Sequence, residues 1–419
     1  MADAYLLVKN SPHLSGTVHV SGAKNSALKL MAASLLIDGV TCLENVPDIS
    51  DVHLMEQVLQ ALGVVVTRTD AHTVQLDARN LGKPIAPYEL VARMRASTAV
   101  LGPLAARMGQ AAVALPGGCN IGSRKIDMHI AGLTALGADC RIEHGYIKVR
   151  AHQGLTAADV TLEFPSVGAT ENLIMAAARA RGTTRIYNVA REPEICDLVD
   201  FLQAAGVSIE GRGGPDLVVH GTDTLHPVTH RVIGDRIEAG TFLIAGALCA
   251  GPVTVTGFVP SDLGIVLDKL RSAGAQLDIT DAAVTVTGTV PIQPVDVQTL
   301  PFPGFPTDMQ AQFMAYMALA DGNSIISENV FENRFMFADE IGRMGADIRI
   351  EGNHALVKGI SRLSAAPVMC PDLRGGAALV LAALVADGET RISDIHHIDR
   401  GYEDLCGKLR ALGADIQRH

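Results

Sequence analysis

Hydrophobic and polar positions alternate between two periods along this chain, and the changeover recurs at a fixed interval. Before Gly63, Leu54, Met55, Val58, Leu59 and Leu62 fall on one face of a helix, while Val64 and Val66 after it alternate as in a strand. The same glycine-centred switch occurs at Gly137, Gly206, Gly274, Gly345 and Gly413, at spacings of roughly seventy residues. After Gly274, Ala275, Leu277 and Ile279 alternate; after Gly345, Ala346, Ile348 and Ile350 do. A glycine between the two patterns suits the left-handed residue that stops a helix. A second series (Gly39, Gly109, Gly182, Gly251, Gly322 and Gly388) closes Ala- and Leu-rich helical runs, and most members precede a β-branched strand such as Val253 to Thr256. The predicted unit is helix, strand, loop, helix, strand, strand, in six copies. Such alternation makes an α/β protein, and a repeat of this length favours compact domains of several units over a solenoid.

Composition narrows the picture. Of 419 residues, 48% are hydrophobic and 19% charged, which supports a large core. With 10 Phe, 6 Tyr and no Trp, that core is expected to be aliphatic. The apolar runs near Thr241 to Ala250 and Ala377 to Ala386 are too short to cross a bilayer. No basic segment followed by an apolar run and cleavage site opens the chain, so a cytoplasmic location is expected. Seven cysteines without CxxC pairs read as a reduced protein with no zinc site, and the scattered histidines offer no metal signature. The net charge of −11 argues against general nucleic-acid or anionic-membrane binding.

The chemistry-bearing residues fall at two recurring places. One is the start of the first helix: Ser21 to Asn25, Met94 to Ser97, Pro165 to Thr170, Asp235 to Glu238, Pro306 to Gln310 and Asp372 to Gly376. The other is the loop before the second helix: Gly117 to Arg124, Arg191 to Glu194, Phe331 to Arg334, and Ile398 to Gly401. Helix N-termini and arginines both favour anions, so a polyanionic ligand fits if these ends converge. Each arginine alone could equally pair with a nearby carboxylate. Cys119 could be a small core residue, but a glycine-rich loop beside Arg124 favours an accessible thiolate. Asp308 reads either as a carboxylate completing a helix start or as a general base placed by a proline-bounded loop. P-loop, dinucleotide-binding and serine-hydrolase motifs are missing.

Several of these segments together resemble a known family. Ser21-Gly22-Ala23-Lys24-Asn25, the Gly117-Gly118-Cys119 loop to Arg124, Pro306 to Phe313, Phe331 to Phe335 and His397 to Tyr402 are similar, in order and nearly end to end, to the UDP-N-acetylglucosamine 1-carboxyvinyltransferases. These are the enolpyruvyl transferases of early peptidoglycan synthesis. The resemblance implies a two-domain inside-out α/β barrel of six repeats, with 24–233 in one domain and 1–23 plus 234–419 in the other. It implies transfer of the enolpyruvyl group of phosphoenolpyruvate to the 3′-hydroxyl of UDP-N-acetylglucosamine, by addition and elimination, with no cofactor and no metal. Cys119 would be the general acid, able to carry a covalent phospholactoyl adduct, and the target of the epoxide fosfomycin. Asp308 would be the base toward the sugar hydroxyl.

Lys24, Asn25, Arg124, Arg374 and Arg400 would hold phosphoenolpyruvate, with Lys24 and Arg400 counted in the catalytic set. Asn25, Arg95, Arg124, Lys125, Ile126, Asp127, Met128, Ser166, Val167, Gly168, Asp308 and Val330 would contact the nucleotide sugar. A closing motion would bring Arg334, Asp372, Arg374 and Arg400 against the Cys119 loop. Ser50 and Phe164 stand where some members have lysine, which removes charge near the expected diphosphate or glycan. The alternatives are another uridine nucleotide or shikimate 3-phosphate as acceptor, or a silent UDP-sugar-binding paralogue; the intact Lys24, Cys119, Asp308 and Arg400 speak against silence.

Overall fold

A computed structural model describes residues 4–115 and 126–419, and among them the strands form six four-stranded sheets. One sheet shows the plan. Asp159–Thr161 pairs parallel with Thr183–Tyr187 after a crossover through the Val167–Ala177 helix. Thr183–Tyr187 pairs antiparallel with Asp216–His220, which pairs with the edge strand Ser208–Glu210. The repeat therefore has one element more than the hydrophobic pattern predicts: a short parallel strand before the first helix. Two or three residues long in several copies, these strands are too brief to show a period.

All six glycines of the first series have positive φ, from 89° to 105°, as the helix stop requires. In the second series Gly109, Gly182, Gly322 and Gly388 do so. Gly39 and Gly251 are needed for space instead. A Cβ there would lie 2.7 Å from Pro227 and 2.1 Å from the Leu14 carbonyl oxygen, respectively.

The chain divides into two compact units, crossing between Ser21 and Gly22 and again between Ile233 and Gly234. Each unit has its own hydrophobic core. In the unit that contains Gly234 onward, the Arg236–Leu248, Gln310–Met317 and Leu373–Val385 helices pack on one another and are buried almost all round, with three sheets about them. This is the inside-out arrangement, and it explains the two apolar runs: a helix hydrophobic on every face belongs in a core. The second helix of each repeat keeps one exposed face, as in Ser50–Ala61. Most of the core is aliphatic, with one aromatic cluster in it: Phe313 meets Phe305 and Tyr316 edge-on at 5.4 and 5.9 Å.

The N-terminal segment completes two sheets of that unit. Leu6–Lys9 fills the place between Glu389–Ser393 and Ile416–Arg418, with Leu6 opposite Ile392 and Val8 opposite Ile416. Gly16–His19 pairs parallel with Val253–Thr256. In the other unit the matching place beside Val40–Glu44 is taken by Thr229–Arg231. Each short strand thus pairs in the unit opposite to the helix that follows it in sequence.

Candidate functional site

In the unit from Gly22 to Ile233, the predicted residues sit on first turns. Lys24 and Asn25 open the Lys24–Ala33 helix, whose N-cap residue Ala23 supplies no side-chain cap and whose first turn holds no acid. The positive end of its dipole is therefore met neither by a side-chain cap nor by an acid of its own first turn. Lys24 is buried, with its Nζ 2.6 Å from a carboxylate oxygen of Asp51, itself in the first turn of Ser50–Ala61. Sequence alone does not mark Asp51: an acid in a helix's first turn is ordinary dipole chemistry, and nothing in its spacing points to Lys24. Two residues on, Ser26 donates to Asp197, a buried carboxylate that also accepts from His230 Nε2 at 2.7 Å.

Arg95 begins a 3-10 turn, Arg95–Val100, not the α-helix expected there; the α-helix starts at Leu101. That turn packs against both the Lys24–Ala33 and Val167–Ala177 helices. Ser166 is the N-cap of the latter, its Oγ accepting from Ala169 N at 3.4 Å, and Val167 and Gly168 follow in the first turn. Ile126, Asp127 and Met128 form the start of the adjacent Asp127–Ala135 helix. The two helices meet closely enough that a Cβ on Gly168 would touch the His129 ring at 3.4 Å. The predicted nucleotide-sugar contacts at 126–128 and 166–168 thus come together at two neighbouring helix starts. Cys119, Arg124 and Lys125 lie outside the described residues. Ser50 and Phe164, the two departures from the family pattern, are both exposed.

In the other unit, Asp308 lies on the 3-10 turn Thr307–Met309 that leads into Gln310–Met317, again a 3-10 start where an α-helix was expected. One carboxylate oxygen accepts from Arg334 Nη2 at 2.7 Å, the other from Arg374 Nη2 at 3.0 Å. Both arginine side chains are about 5% exposed or less, against 25% for Asp308. Burial pushes the Asp308 carboxyl up, but Arg374 and Arg334 outweigh it and hold the group far below the usual carboxylate range. Arg374 is set by the N-cap Asp372, which accepts from the Arg374 and Gly375 N–H groups at 2.8 and 3.0 Å. Its guanidinium stands 5.3 Å over the Tyr402 ring, and its Nε and Nη1 are buried with no hydrogen-bond partner among the described residues.

Arg400 ends a 3-10 turn, Ile395–Arg400, where a plain loop was expected. Two residues later Tyr402 is buried, its hydroxyl 2.8 Å from Thr241 Oγ1 on a central helix. Burial, then His396 and Arg400, push the His397 imidazole below its ordinary value, so it favours the neutral form. Val330 follows the strand Asn323–Ser327 and is half-buried. Asp308, Arg334, Arg374 and Tyr402 therefore form one connected group, which the resemblance divides among a base, a closing residue, an anion holder and a motif position.

The EPSP synthase (3-phosphoshikimate 1-carboxyvinyltransferase) family model matches residues 8–409. UDP-N-acetylglucosamine 1-carboxyvinyltransferase of Desulfosudis oleivorans (strain DSM 6200 / JCM 39069 / Hxd3) is 51% identical over 413 residues, 99% of each chain. That of Mycobacterium tuberculosis (strain CDC 1551 / Oshkosh) is 51% identical over 418 residues, 100% of this chain and 99% of its own. Among solved structures, the enolpyruvyl transferase NikO from Streptomyces tendae superposes with a TM-score of 0.88 at 28% identity, over 99% of each chain. EPSP synthase from Acinetobacter baumannii, at 16% identity and a TM-score of 0.76 over the full length of both chains, shares the fold. The chain belongs to the EPSP synthase family and, within it, to the UDP-N-acetylglucosamine 1-carboxyvinyltransferases.

Proposed function

We infer that this protein transfers the enolpyruvyl group of phosphoenolpyruvate to the 3′-hydroxyl of UDP-N-acetylglucosamine and releases phosphate, a step of cell-wall peptidoglycan synthesis. One observation carries the reading: half of all positions match carboxyvinyltransferases of that specificity over essentially the whole chain. The geometry agrees in kind, because the uncapped helix start at Lys24 and the buried arginines favour ligands with phosphate and carboxylate groups.

In the addition step the sugar oxygen bonds to C2 of phosphoenolpyruvate while C3 gains a proton, giving a tetrahedral phospholactoyl intermediate. In the elimination step C3 loses a proton and the bond from C2 to the phosphate oxygen breaks. Cys119 is the acid toward C3; its sulfur can also bond to C2 as C3 is protonated, which gives the covalent adduct. Asp308 receives or orients the hydroxyl proton of the sugar. Lys24, Asn25, Arg124, Arg374 and Arg400 neutralise the phosphate and carboxylate. Asn25, Arg95, the segment from Arg124 to Met128, Ser166 to Gly168, Asp308 and Val330 hold the nucleotide sugar. The reading places the enzyme in the cytoplasm; among the described residues no helix is long and apolar enough to cross a membrane.

The test is phosphate release with three acceptors side by side: UDP-N-acetylglucosamine, a uridine diphosphate without the sugar, and shikimate 3-phosphate. Turnover only with the first is expected; a folded protein silent with it, or faster with another, overturns the reading. Cys119→Ser should lose most turnover while melting as the parent does, and fosfomycin should leave one adduct, on Cys119. Burial pushes the thiols of Cys249 and Cys370 up to about 12 and that of Cys406 up to about 11, so these stay protonated and unreactive at neutral pH. Peptide mass spectrometry locates the adduct.

A further inference from the structure

Glu328 is a buried carboxylate, 3% exposed, that neither the sequence motifs nor the proposed chemistry uses. It follows the strand Asn323–Ser327, and its backbone N–H is tied to the Asn353 carbonyl at 2.8 Å, so its origin is fixed by the sheet. One of its oxygens accepts from the backbone N–H groups of Val330 at 2.9 Å and Phe331 at 3.0 Å. The other accepts from Thr307 Oγ1 at 2.9 Å. That hydroxyl, its hydrogen directed at Glu328, accepts from Arg334 Nη1 at 3.2 Å, and Arg334 Nη2 holds Asp308 at 2.7 Å. One carboxylate thus sets two segments, the turn bearing Asp308 and the loop bearing Val330 and Arg334.

The donor pattern makes the charge state matter. An ionised carboxylate only accepts, which suits two N–H groups on one oxygen and a hydroxyl on the other. A glutamine of the same shape cannot serve both sides. With its oxygen toward Val330 and Phe331, its NH2 group faces Thr307, whose hydroxyl must then accept from two donors and lose the acceptor of its own proton. With the amide turned over, NH2 opposes two backbone N–H groups. Either way one link breaks while volume and packing are kept.

We propose that Glu328 is a positioning residue for the acceptor end of the site: it fixes the Val330 backbone and, through Thr307 and Arg334, aims the Asp308 carboxylate, without touching substrate. This rests on the reading of Asp308 and Val330 as acceptor contacts. The Val330 N–H is occupied by Glu328, so that residue meets the nucleotide sugar through its carbonyl or side chain.

The experiment is steady-state kinetics on the full-length enzyme for Glu328→Gln, Thr307→Val, the double variant and Asp308→Asn, with thermal melts of each. Glu328→Gln should raise KM for UDP-N-acetylglucosamine about tenfold and lower kcat about tenfold, leaving KM for phosphoenolpyruvate within about twofold. Thr307→Val cuts only the arm to Asp308, so it should lower kcat with little change in either KM. The double variant should be no worse than Glu328→Gln alone, because both act through one chain of bonds. Parental kinetics in Glu328→Gln, or equal losses toward both substrates in step with a fallen melting temperature, overturns the proposal. If Glu328→Gln does not fold, Thr307→Val decides: unchanged kcat overturns it. Asp308→Asn with parental rates would instead refute the acceptor-site reading itself.

Discussion

At the scale of single residues, Asp308 is gripped by two buried arginines, one on each carboxylate oxygen. Its proline-bounded segment marks it, and Arg334 and Arg374 are marked as anion binders. That the two arginines grip Asp308 is not legible, because they lie 26 and 66 residues away and only the packed turn brings them to it. The clamp has a chemical cost, since a carboxylate held far below its ordinary range is a weak proton acceptor. A carboxyl depressed this far stays ionised over the whole working pH range, so Asp308 should contribute no acid limb to the pH dependence of kcat in the parent. Arg334→Gln removes one of the two grips and leaves Arg374. The carboxyl then rises toward its usual range, and an acid limb should move into view in the pH–rate profile. Identical profiles for parent and variant would show that the clamp does not govern this group during turnover. Lys24 is comparable: its role as an anion holder is suggested by motif, while its 2.6 Å contact with Asp51 appears only in the fold. Asp51→Asn should lower the local negative charge and free the ammonium to reach the anion, changing KM for phosphoenolpyruvate more than KM for the nucleotide sugar.

At the scale of elements, two interleaved glycine series count the repeats, because ten of these twelve positions take a positive φ that few other residues adopt cheaply and the other two need the space. The short parallel strands were invisible, and so was the use of 3-10 turns before Leu101 and Gln310, since a 3-10 start differs from an α-helical one in hydrogen bonding and not in hydrophobic pattern. Central helices pay for their close approach to the sheets with small residues. Gly246, inside Arg236–Leu248, is one: a Cβ there would lie 2.6 Å from Val286 Cγ1 and 2.9 Å from Val253 Cβ. Helix propensity alone would make Gly246→Ala stabilising by about 1 kcal/mol. Overpacking against two β-branched side chains on adjacent strands costs about 1–3 kcal/mol. The clash should win, so the variant should unfold at lower denaturant with an unchanged slope; a rise in the midpoint would mean that the sheet yields.

At the scale of the molecule, the sequence reads as six equal units, while the fold exchanges the short strands at the two chain crossings. Gly16–His19 pairs with Val253–Thr256, and Thr229–Arg231 pairs with Val40–Glu44. Local periodicity carries no information about which sheet a four-residue strand joins, so this was beyond reach. Each unit also buries an acid among its central helices. Glu171 lies 2.5 Å from Lys29 Nζ, and Glu238 lies 2.5 Å from Lys408 Nζ, with Lys408 also donating to Ser21 beside one crossing. Burial outweighs the ammonium in both cases and pushes each carboxyl up to about 7. A group whose folded value exceeds its unfolded one stabilises fully below the unfolded value, here near 4.5, and loses that contribution as pH rises through the folded value. Each acid should therefore weaken the fold between about pH 4.5 and about pH 7, by on the order of 1–3 kcal/mol. His397 acts oppositely, because its depressed value costs stability as pH falls below its ordinary range. Comparing variants removes that background. The denaturant midpoint of Glu238→Gln, and separately of Glu171→Gln, should depend less on pH across this window than the parent's, with the double variant flattest. Parallel curves for parent and variants would mean that the lysines hold both acids ionised throughout, and that burial of these pairs is matched by their attraction.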